Sequence, residues 1–301
     1  MKNHPIIQAC SFVVNALLLA SLVAVLYSVG WEFSTRSYLK GFSDAIIPAS
    51  DGPEQKVEAI LQWMAHGPAR STVADPGGLA ARNPEDTLNI QHLLEVCGTA
   101  TNAFVNLAQS SGLRARRLLL LDQYGLSKHV VVEVFIGDRW VVVDPSYHFM
   151  PRLADGHFAT RTELKDPAVF HAATQSIPNY PAMYTYESTV HVRLARIPWI
   201  GRHLRGIFNF IWPSWEESIN WTLLVERESF AVLVASILLL CFALGARLIL
   251  GWYCRSRLGI ANERLRDQIM RAGQAVAAHA GGTRGICPCA LVLASDGGSG
   301  K

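Results

Sequence analysis

The sequence predicts an α+β domain, a cysteine-bearing helix packed on an antiparallel sheet, held between two transmembrane helices. Three observations carry this reading. The apolar runs Ile6 to Val29 and Phe230 to Trp252 are each long enough to cross a bilayer. Between them Arg114–Leu121, His129–Ile136 and Arg139–Asp144 are β-rich, with turn signals at Asp122–Gly125 and Gly137-Asp138. Ahead of these strands Ala100, Phe104, Leu107 and Ala108 recur at helical spacing between Cys97 and Gly112.

Composition agrees with the two spans. Of 301 residues 50% are hydrophobic and only 17% charged, too apolar for an ordinary soluble chain. The net charge of +3 is too small to argue for nucleic acid. The first apolar run exceeds a usual signal core and reads as an uncleaved anchor. Arg247, near the end of the second, can snorkel to the interface. After Ala246 arginines far outnumber acids, with Arg247, Arg255, Arg257, Arg264, Arg266, Arg271 and Arg284 against Glu263, Asp267 and Asp296. The positive-inside rule makes this tail cytoplasmic. Two spans then put Met1 on the same side of the inner or plasma membrane and the intervening domain outside.

The expected organisation follows: an N-terminal anchor (1–30), a juxtamembrane connector (31–52), a core domain (53–150), an aromatic and basic extension (151–228), a second span (229–252) and a basic, partly disordered tail (253–301). In the connector, Trp31, Phe33, Tyr38 and Phe42 suit an interface. Pro53–Gly67 predicts an amphipathic helix buried along Val57, Ile60, Leu61 and Met64. Pro68–Thr87, rich in Pro, Gly, Asp and Asn, reads as a loop. Arg114, Arg116 and Arg117 suggest a solvated strand edge in preference to a basic binding patch. Residues 151–186 lack a clear period, but their aromatics argue for order against the domain. His191–Trp215 interleaves arginines with Ile, Phe and Trp, which fits either contact with anionic lipid or a basic surface helix. Among the six cysteines only Cys97 lies between the spans, so that domain has no internal disulfide. Cys287 and Cys289 are two ligands short of a zinc site. No metal or cofactor is expected.

A two-residue turn at Gly137-Asp138 sets Ile136 opposite Arg139, Val131 opposite Asp144 and His129 opposite Ser146. Side chains alternate with period two, so His129, Val131, Glu133 and Phe135 share a face with Trp140, Val142 and Asp144. His129 and Asp144 become diagonal neighbours about 7–8 Å apart, a gap that side chains can close. Val130, Val132 and Val134 turn to the opposite face and build core. If a helix begins near Cys97, its dipole and a nearby imidazolium favour the thiolate. The open alternative is a helix extended backwards through Leu93, Leu94 and Val96, with Cys97 at its middle. A thiolate at the helix start could attack an acyl carbonyl while His129 shuttles the proton and Asp144 holds the tautomer.

These residues resemble the transglutaminase-like superfamily of papain-like thiol enzymes. The likeness lies in a Cys opening a helix, then Gly-Leu-x-Ala-Arg leading into a strand, His-x-x-x-Glu-Val, and Arg-Trp-x-x-x-Asp-Pro, over Cys97 to Tyr147. The chain departs from the pattern at Glu95, Gly98 and Arg114. The resemblance implies Cys97 as nucleophile, His129 as base and Asp144 as orienter, with Gln91 and the Cys97 backbone amide as oxyanion donors. The expected function is a membrane-anchored acyl transferase or amide and peptide hydrolase acting on protein or peptide substrates at the extracytoplasmic face. The rival expectation is a catalytically idle binding or scaffold module in an envelope or surface-polysaccharide assembly. Cys97→Ala should abolish turnover, and Asp144→Ala should slow it with folding largely intact.

Overall fold

The computed structural model describes residues 5–48, 52–72, 83–192, 201–213, 215, 221–258 and 274, with 201–205 as backbone. The chain divides into two compact units, one of Leu17–Cys241 and one of Met1–Ala16 with Phe242–Lys301.

Helix α1 runs unbroken over Pro5–Ile46. It is long and apolar enough to cross a membrane, with little of its apolar stretch buried. The segment expected as a connector therefore continues the helix for four more turns. There it changes role, because Leu39 is fully buried in the domain core while Tyr38, Phe42 and Ile46 pack against it. Helix α2, Pro53–His66, starts on a proline at its first turn and buries Val57, Ile60, Leu61 and Met64, the expected face. The Phe42 and Trp63 rings meet edge-on at 5.1 Å and join the two helices.

The expected loop 68–87 is only partly a loop. Residues 73–82 lie outside the described part, and Pro84–Asn89 forms the short helix α3. Asn83 caps it by accepting a hydrogen bond from the Glu85 amide, and Glu85 and Asp86 occupy its first turn. This is an N-terminal signature whose proline and asparagine resemble loop composition. Helices α4 (Gln91–Glu95) and α5 (Cys97–Ser110) follow.

Strands β1 (Ala115–Leu121), β2 (Ser127–Ile136), β3 (Arg139–Val143) and β4 (Thr189–Val190) form one antiparallel sheet in the order β3-β2-β1-β4. The β2–β3 ladder pairs Ile136 with Arg139 and runs in register to Val132 with Val143, as the two-residue turn requires. Gly137 takes φ +61° while Asp138 does not, the pattern of a type II′ turn. The first core lies on the face of Val132, Val134, Val141 and Val143, covered by α2 and by Ala100, Ala103, Phe104 and Leu107 of α5. Truncating Phe104 to alanine there should cost about 3–5 kcal/mol. The second core lies on the face of Leu118, Leu120, Val131 and Val142. It is covered by the extension beyond 150, through Leu164, Phe170 and Tyr186 and helix α6 (Pro167–Thr174).

The solvated-edge expectation for β1 is corrected. β1 sits between β2 and β4, and Arg116 and Arg117 are buried. Arg116 pairs with Glu133 and Arg117 with Glu226, so each buried cation has a buried carboxylate. Glu226 ends the short helix α8 (Thr222–Glu226), which follows α7 (Gly201–Ile211). Helix α9, Glu228–Leu258, is the second helix long and apolar enough to cross a membrane. At the junction of α8 and α9, Arg227 donates to Glu32 of α1 and to Asn106 of α5, and Ser229 donates to Glu32. In the smaller unit Arg247 of α9 donates to Ser11 of α1 at 3.3 Å.

Candidate functional site

The helix break before the thiol occurs at Val96, which is extended (φ −89°, ψ 124°) and ends α4 so that α5 starts at Cys97. No glycine or proline enforces it. Leu93 and Leu94 are both buried, Leu94 in the main core and Leu93 in a separate small cluster with Ile90. The Thr99 hydroxyl donates to the Leu93 and Val96 carbonyls at the end of α4, which compensates the interruption. The first turn of α5 has no side-chain cap, so its amides remain at the positive end of the helix beside the sulfur.

Helix α5 packs on one face of the sheet, and His129 and Asp144 belong to the other. They meet because all three lie at one end of the sheet, where α5 and β2 begin. The Thr101 hydroxyl pins the start of α5 to the Val130 carbonyl at 3.2 Å. On β1 the register shifts between Leu120 and Leu121, beside His129, as at a bulge that re-aims a side chain.

His129 is 2% exposed and Asp144 is fully buried. His129 Nε2 lies 2.7 Å from Asp144 Oδ2. This bond leaves Nδ1 as the nitrogen available to the thiol. Nδ1 makes no hydrogen bond of standard geometry, yet Cys97 and His129 lie near enough to shift each other's proton affinity. Such contacts are often long before a substrate binds. Burial pushes the Cys97 thiol up, but His129, and after it the Val130 backbone, bring it below its ordinary value. Burial pushes the His129 imidazole down, but the bonds to Asp144 and Cys97 lift it to about 9. Both directions favour a thiolate–imidazolium pair.

Asp144 has a donor at every side. Ser146 donates to Oδ1 through its amide (3.2 Å) and hydroxyl (2.9 Å), and the Tyr147 amide donates at 3.3 Å. The Tyr180 hydroxyl donates to Oδ2 at 2.9 Å. Gln91, the expected oxyanion donor, is engaged elsewhere. Its Nε2 donates to Glu95 and its Oε1 accepts from Arg70, both at 3.3 Å.

Three residues of this cluster escaped the sequence reading. Tyr180 bonds Asp144, Tyr184 stacks on His129, and Tyr147 meets His129 edge-on at 6.0 Å. The only signal for Tyr180 and Tyr184 was the density of aromatics after Pro151, which reads as packing. On the same face of β2, Glu133 accepts from Arg116 and pairs with His191, each at 2.8 Å. Burial pushes its carboxyl up, but His191 and Arg116 hold it below the ordinary range.

Residues 40–145 match the family model of the transglutaminase-like superfamily core. No curated protein and no solved structure matches the chain.

Proposed function

We propose that this chain, which carries a transglutaminase-like domain over residues 40–145, is a membrane-anchored thiol enzyme acting on amide or peptide substrates. Cys97 is the nucleophile, His129 the base and then the acid, and Asp144 the group that orients the ring. The observation that carries this reading is the 2.7 Å bond between two buried side chains, His129 Nε2 and Asp144 Oδ2, which leaves Nδ1 as the nitrogen to carry the proton in this proposal.

In the first half-reaction the Cys97 thiolate adds to the substrate carbonyl carbon. The Nδ1 proton of His129 passes to the leaving amine as the C–N bond breaks, and a thioester remains on Cys97. In the second, water or a primary amine gives a proton to Nδ1 and attacks the thioester, whose C–S bond breaks to free the thiolate beside the imidazolium. Transfer and hydrolysis differ only in this acceptor. The uncapped amides of α5, that of Cys97 first, are the oxyanion donors in this reading. Gln91 joins them only by leaving Glu95. That engagement favours one rival, an idle binding module in an envelope assembly, with a thiol of ordinary acidity.

The domain faces the extracytoplasmic side in this proposal, with both termini cytoplasmic. Arg255 and Arg257 in the last turn of α9 support it. Ile207, Phe210 and Ile211 of α7 are exposed, which suits a helix lying on the lipid surface. Their expected partner is an anionic membrane.

The test uses the full chain in detergent. Alkylation of Cys97 by iodoacetamide, followed across pH by peptide mass, should have its midpoint well below the ordinary thiol value of about 8.5. Incubation with a mixture of surface peptides should leave an acyl adduct on Cys97. An ordinary midpoint with no adduct would sink the enzymatic reading.

A further inference from the structure

The orienting carboxylate serves two masters. His129 Nε2 and the Tyr180 hydroxyl both bond the same oxygen, Asp144 Oδ2, at 2.7 and 2.9 Å. Oδ1 is occupied by Ser146 and the Tyr147 amide, so Tyr180 has no other place on the carboxylate. Tyr180 comes from the extension, beyond the stretch that matches the family model.

Several features hold it there. Asn179 takes φ +57°, a left-handed backbone that asparagine tolerates better than most residues, and it sets the direction of the next side chain. The Tyr180 ring is then clamped edge-on by Tyr147 at 4.7 Å, by Phe149 at 5.4 Å and by Tyr184 at 5.8 Å. Burial, reinforced by the neighbouring Tyr186 and then by the charge of Asp144, pushes the phenol far above its usual range. It therefore keeps its proton at every working pH and only donates to Oδ2.

Two donors on one carboxylate oxygen compete. Each draws charge from the other, and charge taken by the phenol no longer stabilises a proton on the imidazole. We propose that Tyr180 is a positioning residue that restrains the basicity of His129 through Asp144 Oδ2, and so sets how acidic the Cys97 thiol becomes. The effect moderates the pair: it keeps the Nδ1 proton mobile enough to leave for the amine, where an unopposed carboxylate would hold it. This inference rests on the thiol-enzyme reading above.

Tyr180→Phe is the discriminating variant, because it removes the hydroxyl and retains the clamped ring. The full chain in detergent is alkylated with iodoacetamide at a series of pH values, and Cys97 is resolved from the other cysteines by peptide mass. The Cys97 midpoint in Tyr180→Phe should fall below that of the parent by about half a pH unit, roughly a threefold faster alkylation at a fixed pH below the midpoint. The His129 ring protons, followed by NMR, should titrate correspondingly higher. Tyr124→Phe, at an exposed turn, is the control and should leave the midpoint unchanged. An unchanged or raised midpoint in Tyr180→Phe, with a parent-like melting curve, overturns the proposal and leaves the thiol-enzyme reading standing. An ordinary midpoint in the parent itself also overturns the proposal, and with no acyl adduct on Cys97 it overturns both.

Discussion

Tyr184 lies flat against the His129 imidazole, with ring centroids 4.1 Å apart and planes 2° from parallel. A ring face so close stabilises the protonated imidazole through its quadrupole. Tyr184→Ala should therefore raise the Cys97 alkylation midpoint by about half to one pH unit. That is the opposite sign to Tyr180→Phe. Alkylation curves of the two variants side by side check both, and a downward shift for Tyr184→Ala would refute the stacking argument.

Asp144 changes the expectation attached to its truncation. With donors from His129, Ser146, Tyr147 and Tyr180 all aimed at a fully buried carboxylate, Asp144→Ala orphans several groups at about 1–3 kcal/mol each. It should melt well below the parent rather than fold intact. Asp144→Asn keeps an acceptor for Oδ1's partners and should fold. It should lose activity on the order of 10³–10⁴-fold, because the amide cannot hold the same tautomer. Circular dichroism melts in detergent and single-turnover acylation separate the two outcomes.

The His129 ring also ties stability to pH. Its folded value of about 9 lies above the ordinary 6.5. Its contribution is thus fully present below pH 6.5 and is lost as pH rises through about 9. Cys97, held below its ordinary value, contributes with the opposite sign over the same range, so the fall in melting temperature should show in Cys97→Ala, where the ring titrates without the thiol, and not in the parent. Adding His129→Gln to Cys97→Ala should flatten the fall, and a fall of the same size in that double variant would assign it to other groups.

Glu32 and Arg227 are each 5% exposed at the side chain and pair at 3.2 Å; Asn106 accepts from Arg227, while Ser229 and Arg36 donate to Glu32. Removing Glu32 strands Arg227, whereas removing Arg227 leaves Glu32 its bond to Arg36. Glu32→Ala should cost about 3–5 kcal/mol and Arg227→Ala less. A double variant replacing both with apolar residues of similar volume should recover much of this, and chemical denaturation of all three variants in detergent measures the difference.

Much of this site was legible because strand geometry is periodic. The β2–β3 register follows from Gly137-Asp138 alone, and it brings His129 and Asp144 to one face. The apolar stripe of α2 and the two long apolar helices were equally plain. The start of α5 was not, because Val96 breaks the helix through the burial of Leu93 and Leu94 and the hydroxyl of Thr99, which are tertiary effects with no local marker. Arg116 and Arg117 misled for a similar reason. Their carboxylate partners, Glu133 and Glu226, stand far along the chain, and a charged residue looks solvated until its partner is found. Tyr180 and Tyr184 were invisible as site residues because nothing nearby in sequence ties an irregular aromatic segment to Asp144.

Helix α1 passes from its apolar stretch to Ile46 without a hinge, and Leu39 ends inside the core. From Glu32 onward the helix is built into the domain, through the bonds to Arg227 and Ser229 and the burial of Leu39. With α1 crossing the bilayer as proposed, anchor and domain then share one continuous piece of backbone, and no floppy leash separates them.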